Sequence, residues 1–272
     1  MGVYCLIADQ IVRIADGRLG RLLFDFRISD EAVVDEKQVL CHVYVGEAAR
    51  IHGVRCFHAC HPVAHAFIND LDPFGVLMTD EGYEHMTVCN PREENLADTM
   101  LVGVYSCLIP HKTVFAHAAL IALPDYGGIL FIGDSGVGKT TQARLWARHR
   151  GASVLNGDKV FLALRPEAPE QVLAYGSPWT GSSPYRVNGK VPLRAIVSLV
   201  RRDSCSVRRL SETEAMGAFV SRIYMPAWDG GLTQAVMDTI HTMLPLTPVF
   251  EMSCRPDVSA VEMLERTVLD QA

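Results

Sequence analysis

Gly133-Asp134-Ser135-Gly136-Val137-Gly138-Lys139-Thr140-Thr141 matches G-x-x-x-x-G-K-[ST] at every fixed position. Upstream, Gly128-Ile129-Leu130-Phe131-Ile132 is a short apolar run of strand type. Downstream, Thr141-Gln142-Ala143-Arg144-Leu145-Trp146-Ala147-Arg148 reads as a helix. A strand, a glycine loop and a helix in that order make a phosphate cradle. The glycines let backbone N–H groups converge on phosphate oxygens with no Cβ in the way. Lys139 supplies a positive charge for the β- and γ-phosphates, and the Thr140 hydroxyl is placed to reach a Mg²⁺ ion. The alternative is a glycine-rich turn that binds nothing; the flanking strand and helix argue against it.

The bulk of the chain suits such a loop. With 272 residues it has room for one large domain or two smaller ones, and 49% hydrophobic residues supply a sizeable core. The formal net charge of −6 leaves no dominant basic stripe, which argues against nucleic acid as the main partner. Arg201-Arg202 and Arg208-Arg209 are only local clusters. Eight widely spread cysteines read as reduced thiols. The N-terminal stretch has an early acid and no basic segment, unlike a signal peptide, and no apolar run reaches the length of a membrane span. The expectation is a cytoplasmic protein with no membrane partner.

Residues 1–110 read as a β-rich subdomain, expected to be antiparallel. Val3 to Ala8, Ile11 to Ile14, Leu22 to Ile28 and Val39 to Val45 resemble strands, and Asp16-Gly17 and Ser29-Asp30 resemble turns. Asp72-Pro73-Phe74-Gly75, Asp80-Glu81-Gly82 and Asn90-Pro91 punctuate the chain, and Ala97 to Cys107 suits a helix. Cys56, His58, Cys60, His61 and nearby His65 invite a zinc reading. The spacing is against it: there is no second ligand pair, and adjacent Cys60 and His61 point apart on a strand.

Residues 111–272 carry the chemistry. Val114 to Ile121 reads as one apolar strand bearing His117, followed by a hairpin at Pro124-Asp125-Tyr126-Gly127-Gly128 that brings the histidine near the glycine loop. A lone histidine on an apolar strand is more often a satisfied core residue than a functional one. After the helix, Gly151 to Asn156 is a turn and a strand, and Asp158 follows at its end. An acid at the end of a strand beside the loop strand can hold Mg²⁺ or take a proton from an attacking hydroxyl. The alternative is Asp158 as a turn residue beside Gly157, and the glycine loop just upstream favours the functional role. The Ser-, Gly- and Pro-rich stretch 175–190 reads as a long loop whose Trp179, Tyr185 and Arg186 are candidate substrate contacts, or else a surface loop with one aromatic anchor. Ala195 to Val200 is a buried-type strand. A helix runs from a Ser211–Glu214 capping box to about Met225, and another spans Leu232 to Leu244. A strand covers Val249 to Ser253, and a last helix runs from Val258 to Leu269 behind Asp257.

Taken together, Phe115-Ala116-His117-Ala118, Gly133 to Thr140 and Leu155-Asn156-Gly157-Asp158-Lys159 resemble the HPr kinase/phosphorylase family and its small relatives. That family shares its nucleotide-binding core with ATP-dependent phosphoenolpyruvate carboxykinase. The likeness covers roughly residues 112–200, with Pro192-Leu193-Arg194-Ala195-Ile196 leading into the later strand, and more weakly Ser253-Cys254-Arg255-Pro256-Asp257. It implies an α/β or α+β fold: a mixed sheet flanked by helices behind the β-rich subdomain. It also implies a kinase using ATP and Mg²⁺, with Asp158 as general base or metal-side carboxylate and His117 beside the transferred phosphoryl group. Thr140 and Asp158 would hold the metal; Asp158, His117 and Lys139 would form the catalytic set. Three features depart from the family. Gly157 stands where the first acid of an Asp-Asp pair is expected, the Pro-Gly-Arg-Asn signature is absent, and residues 1–110 do not read as that family's regulatory domain. The expected acceptor is therefore a hydroxyl of a small molecule, peptide or protein serine other than HPr, and a homo-oligomer is compatible with the sequence. The alternative is a catalytically weak nucleotide-binding regulatory or assembly module.

Overall fold

In a computed structural model of the chain, the apolar run before the glycine loop is a strand and the segment after it a twelve-residue helix. Residues 2–29, 32–52, 54–69, 72–90, 92–202 and 204–268 are described. Two compact units emerge, Met1–Pro110 and His111–Ala272.

In the first unit, β1 (Val3–Ile7), β2 (Gln10–Ile14), β3 (Val39–Val45), β6 (His65–Asn69), β7 (Asp72–Thr79) and β8 (His85–Cys89) form one sheet in the order β1-β2-β3-β8-β7-β6. The short β4 (Ala48–Ile51) and β5 (Val54–Phe57) make a separate hairpin. The sheet is mixed rather than antiparallel, because β3 runs parallel to both β2 and β8. Leu22 to Ile28 is not a strand. Asp16 accepts hydrogen bonds from the Arg18 and Leu19 N–H groups and so caps α1 (Gly17–Leu22), and a 3-10 turn follows at Phe24–Phe26. The stretch beginning Asp72-Pro73, expected to break the chain, opens β7 instead. Helix α2 (Leu96–Leu108) packs against β3, β7 and β8.

The second unit is built on a nine-stranded sheet. Its strands are β9 (Thr113–His117), β10 (Ala119–Leu123), β11 (Gly127–Ile132), β12 (Ser153–Asn156), β13 (Lys159–Arg165), β14 (Ala168–Tyr175), β15 (Lys190–Val200), β16 (Ser206–Arg209) and β17 (Val249–Ser253). The helices are α3 (Lys139–Arg150), α4 (Glu212–Val220), α5 (Gly230–Met243) and α6 (Val258–Val268). Long β15 joins two sectors. Its first residues pair antiparallel with β14, and its later residues run parallel to β11 and β17. Helices α3 and α6 bury Ala143, Trp146, Val261 and Leu264 among Ile129, Phe131 and Val197 of the sheet. The described residues thus form a mixed α/β fold. Among them, no helix is long and apolar enough to cross a membrane.

Three sequence expectations in this unit change. The strand read through Val114 to Ile121 breaks at Ala118: β9 pairs with β13, whereas β10 pairs with β11 and β12. β12 does not adjoin the loop strand, since antiparallel β10 lies between them. Two antiparallel steps restore direction, so the C-terminal ends of β11 and β12 still lie at the same edge. Finally, α4 ends at Val220 instead of continuing to Met225. Arg222 to Tyr224 extends along β9, with the His117 N–H donating to the Arg222 carbonyl at 2.8 Å and the Tyr224 N–H to the Phe115 carbonyl at 2.9 Å. Pro226 downstream disfavours helix at Met225, and the open edge of β9 supplies the competing backbone partners. The Ser211–Glu214 capping box forms, and Asp257 accepts from the Ser259 N–H at the start of α6; Leu269 lies outside the described residues.

Candidate functional site

The C-terminal edge shared by β11 and β12 gathers a pocket of about 350 Å³. Its floor is the glycine loop. Gly133, Gly136 and Gly138 have φ of 138°, 73° and 116°, a region that β-carbon-bearing residues rarely occupy. This backbone path turns the chain from β11 into α3 within a few residues, and the space beside the Gly138 Cα is open. The first N–H groups of α3 have no intrahelical partners, so together with the loop they favour an anion.

Lys139 is only 6% exposed. Its Nζ donates to the carbonyls of Gly133 at 3.0 Å and Asp134 at 3.1 Å, and to His117 Nε2 at 3.0 Å. Burial lowers its pKa; the Asp158 carboxylate opposes that shift and Arg222 adds to it. Since Nε2 accepts, the proton on His117 sits on Nδ1, which lies 3.0 Å from Asp158 Oδ1. Asp158, His117 and Lys139 therefore form one continuous hydrogen-bonded chain. Burial alone would raise the Asp158 carboxyl, but the His117 hydrogen bond and the positive charges of Lys159 and Lys139 outweigh it, and its pKa is lowered.

Asn156, wholly buried, holds the acid in place. Its Oδ1 accepts from the N–H groups of Asp158 at 2.8 Å and Lys159 at 2.9 Å. Its Nδ2 donates to the carbonyls of Ser177 and Trp179, each at 3.0 Å. One side chain thus sets both the turn that carries Asp158 and the start of the long loop. The Thr140 hydroxyl donates to the Gly157 carbonyl at 3.2 Å, tying α3 to that turn. Thr140 and Asp158 line the same pocket and offer hard oxygen donors, which suit Mg²⁺. Among the described residues no group of three His, Cys, Asp or Glu gathers to make a protein-only metal cage. A Mg²⁺ here would draw its remaining ligands from phosphate and water, its usual habit.

The other expected site residues separate. Gly133, Asp134 and Val137 are outside the pocket lining, though all three belong to the loop; Ser135, Gly136, Gly138 and Thr141 line it. Trp179 is 1% exposed with its ring edge-on to Phe161, so it anchors the long loop and is no substrate contact. Tyr185 is half-buried beneath the Arg144 guanidinium, and exposed Arg186 bridges to Asn156 through the backbone; neither lines the pocket. Of the suspected zinc residues, His61 hydrogen-bonds Thr87 and His65 stacks on Tyr83.

Residues the sequence did not single out complete the site. Arg144 lines the pocket one helical turn beyond Thr140, a spacing that places both on one face of α3. Ser182, Ser183 and Pro184 form its opposite wall. Arg222 reaches Asp134 at 2.7 Å, and Arg201 donates to the Gly136 carbonyl at 2.7 Å, so two arginines brace the loop from outside. Gly157 has a physical reason: a Cβ there would lie 2.9 Å from Ser183 Cβ and overlap its Oγ.

No family model and no curated protein matches the chain. Among solved structures, the HPr(Ser) kinase/phosphatase of Coxiella burnetii aligns over 58% of this chain and 94% of its own, with 14% identity and a TM-score of 0.31.

Proposed function

We propose that the second unit is a Mg²⁺·ATP-dependent phosphotransferase acting on a hydroxyl. The observation that carries this reading is the chain Asp158–His117–Lys139, closed by hydrogen bonds of 3.0 Å at one end of a glycine loop that caps a helix. Phosphoryl transfer asks the protein mainly for positioning and charge stabilisation. The loop N–H groups and Lys139 hold the phosphates. Asp158 accepts the proton of the attacking hydroxyl, and His117 orients that carboxylate while keeping Lys139 aimed at the loop. Arg144, which lines the same pocket, adds positive charge there. Thr140 and Asp158 would hold Mg²⁺, which supplies charge neutralisation between the phosphates.

The test is transfer from γ-labelled ATP with Mg²⁺ into a fractionated cell extract, with Lys139→Ala and Asp158→Asn alongside. Label in one discrete small-molecule or protein fraction, lost in both variants, is expected. Asp158→Asn is expected to keep nucleotide affinity within a few-fold. Normal turnover in that variant would remove Asp158 from its role.

A second reading is favoured by one observation: the position before Asp158 has no carboxylate, and the Ser183 side chain fills its space. A nucleotide-binding regulatory module would show tight ATP binding with no phosphate moved to any acceptor.

A further inference from the structure

The wall of the pocket facing the glycine loop is the chain's own segment Gly181-Ser182-Ser183-Pro184. Three features hold it there. Gly181 sits at φ 54° with its Cα so close to Asp158 that an added Cβ would lie 3.0 Å from the carboxyl carbon and overlap Oδ2. Ser183 packs its side chain against the bare Cα of Gly157 and accepts the Tyr185 N–H at 3.3 Å. Its own N–H donates to the Thr180 carbonyl at 2.9 Å, closing a tight turn. Trp179 and the Asn156 amide pin the start of the loop from below. Between these anchors stands Ser182, exposed and lining the same pocket as Lys139, Thr140 and Asp158. Asp158 turns Oδ1 to His117 and faces this segment with Oδ2.

We infer that Ser182 is a phosphoryl acceptor in cis: the protein phosphorylates its own loop. This rests on the kinase reading above and names an acceptor for it. The Ser182 hydroxyl gives its proton to Asp158 as Oγ bonds to the γ-phosphorus of ATP. The bond from that phosphorus to the oxygen bridging the β-phosphate breaks, and ADP leaves with the electron pair. Two glycines bring the loop to the acid: Gly157 leaves room for the Ser183 anchor, and Gly181 lets the backbone touch the carboxylate. The phosphoserine would stand where the γ-phosphate of the next nucleotide has to sit, with Lys139 nearby to neutralise it. The modification therefore limits itself to one round and weakens later triphosphate binding.

The experiment incubates the full chain with Mg²⁺·ATP and maps phosphate by mass spectrometry, with nucleotide binding measured on the same preparation. One phosphate on Ser182 is expected, lost in Ser182→Ala, at a rate per molecule unchanged across a dilution series. A readout independent of turnover is the affinity of a non-hydrolysable ATP analogue for Ser182→Asp. It should fall by about tenfold or more, as expected for a like charge within several ångströms of a triphosphate. ATP bound and turned over with no phosphate on Ser182 would overturn the inference and leave the kinase reading standing. Failure of the wild type to bind nucleotide would overturn both. A rate that rises with protein concentration would place the transfer between two copies and overturn the assignment in cis. An undiminished affinity in Ser182→Asp would show that the side chain does not face the phosphate site.

Discussion

Replacing Gly157 by Ala tests how the long loop is seated. The new Cβ would lie 2.9 Å from Ser183 Cβ, where two carbons prefer about 3.5–4.0 Å. Rotating Ser183 about χ1 moves its Oγ but not its Cβ, so the loop backbone must retreat by about 0.6 Å or more. Overpacking of this kind costs about 1–3 kcal/mol. The Ser177 and Trp179 carbonyls bound by Asn156 restrain that retreat, so the upper half of the range is expected. Ser183→Gly removes both offending atoms. The double variant should then recover most of the loss, giving a coupling of about 1–2 kcal/mol in a double-mutant cycle. Urea unfolding followed by tryptophan fluorescence measures it: the midpoint should shift with an unchanged slope. A neutral Gly157→Ala, or a loss that Ser183→Gly does not rescue, would refute the account of why glycine stands before Asp158.

Three further outcomes are expected. Nucleotide affinity should fall with rising pH below the ordinary lysine value of 10.5, because burial lowers the Lys139 pKa and binding uses its ammonium. Stability has the opposite sign: between the lowered folded pKa and 10.5 the unfolded chain holds the proton that the folded chain has lost, so the contribution of Lys139 to stability rises with pH; calorimetry against pH, compared with Lys139→Met, checks both. Arg222→Ala removes the 2.7 Å pair with Asp134 and should weaken nucleotide binding by about tenfold while costing less than about 1 kcal/mol in stability, since Asp134 is largely exposed. Asn156→Ala strands two half-buried N–H groups and two buried carbonyls and should cost about 2–4 kcal/mol in denaturant unfolding; a loss below about 1 kcal/mol would show that the network does not hold the turn.

Local chemistry was legible in the residue order. The glycine loop must pass through positive φ, and only its spacing of glycines permits that; Lys139 and Thr140 follow because they occupy the first turn of the helix so formed. The Ser211–Glu214 box and the β10–β11 hairpin were legible for the same reason, since their partners are a few residues apart. Leu22 to Ile28 misled because its apolar pattern suits a strand, whereas the Asp16 side chain upstream starts a helix. Trp179 misled because an aromatic in a polar loop looks available, and only packing against Phe161 buries it.

What the sequence by itself determined is the loop, its lysine and threonine, and the order in which histidine, loop and acid follow one another. The tertiary structure decided the rest. It split the histidine strand, inserted β10 between β11 and β12, and still brought Asp158, His117 and Lys139 into contact across a sheet edge. It also delivered Arg222 from the edge of β9 and Ser182 from the loop after β14, residues 64 and 24 positions beyond Asp158 in the numbering. Backbone conformation and helix capping act over a few residues and leave a local imprint. Strand pairing joins distant segments through backbone hydrogen bonds that any sequence can offer, and side-chain burial through non-directional apolar contact, so no spacing in the chain records which will meet.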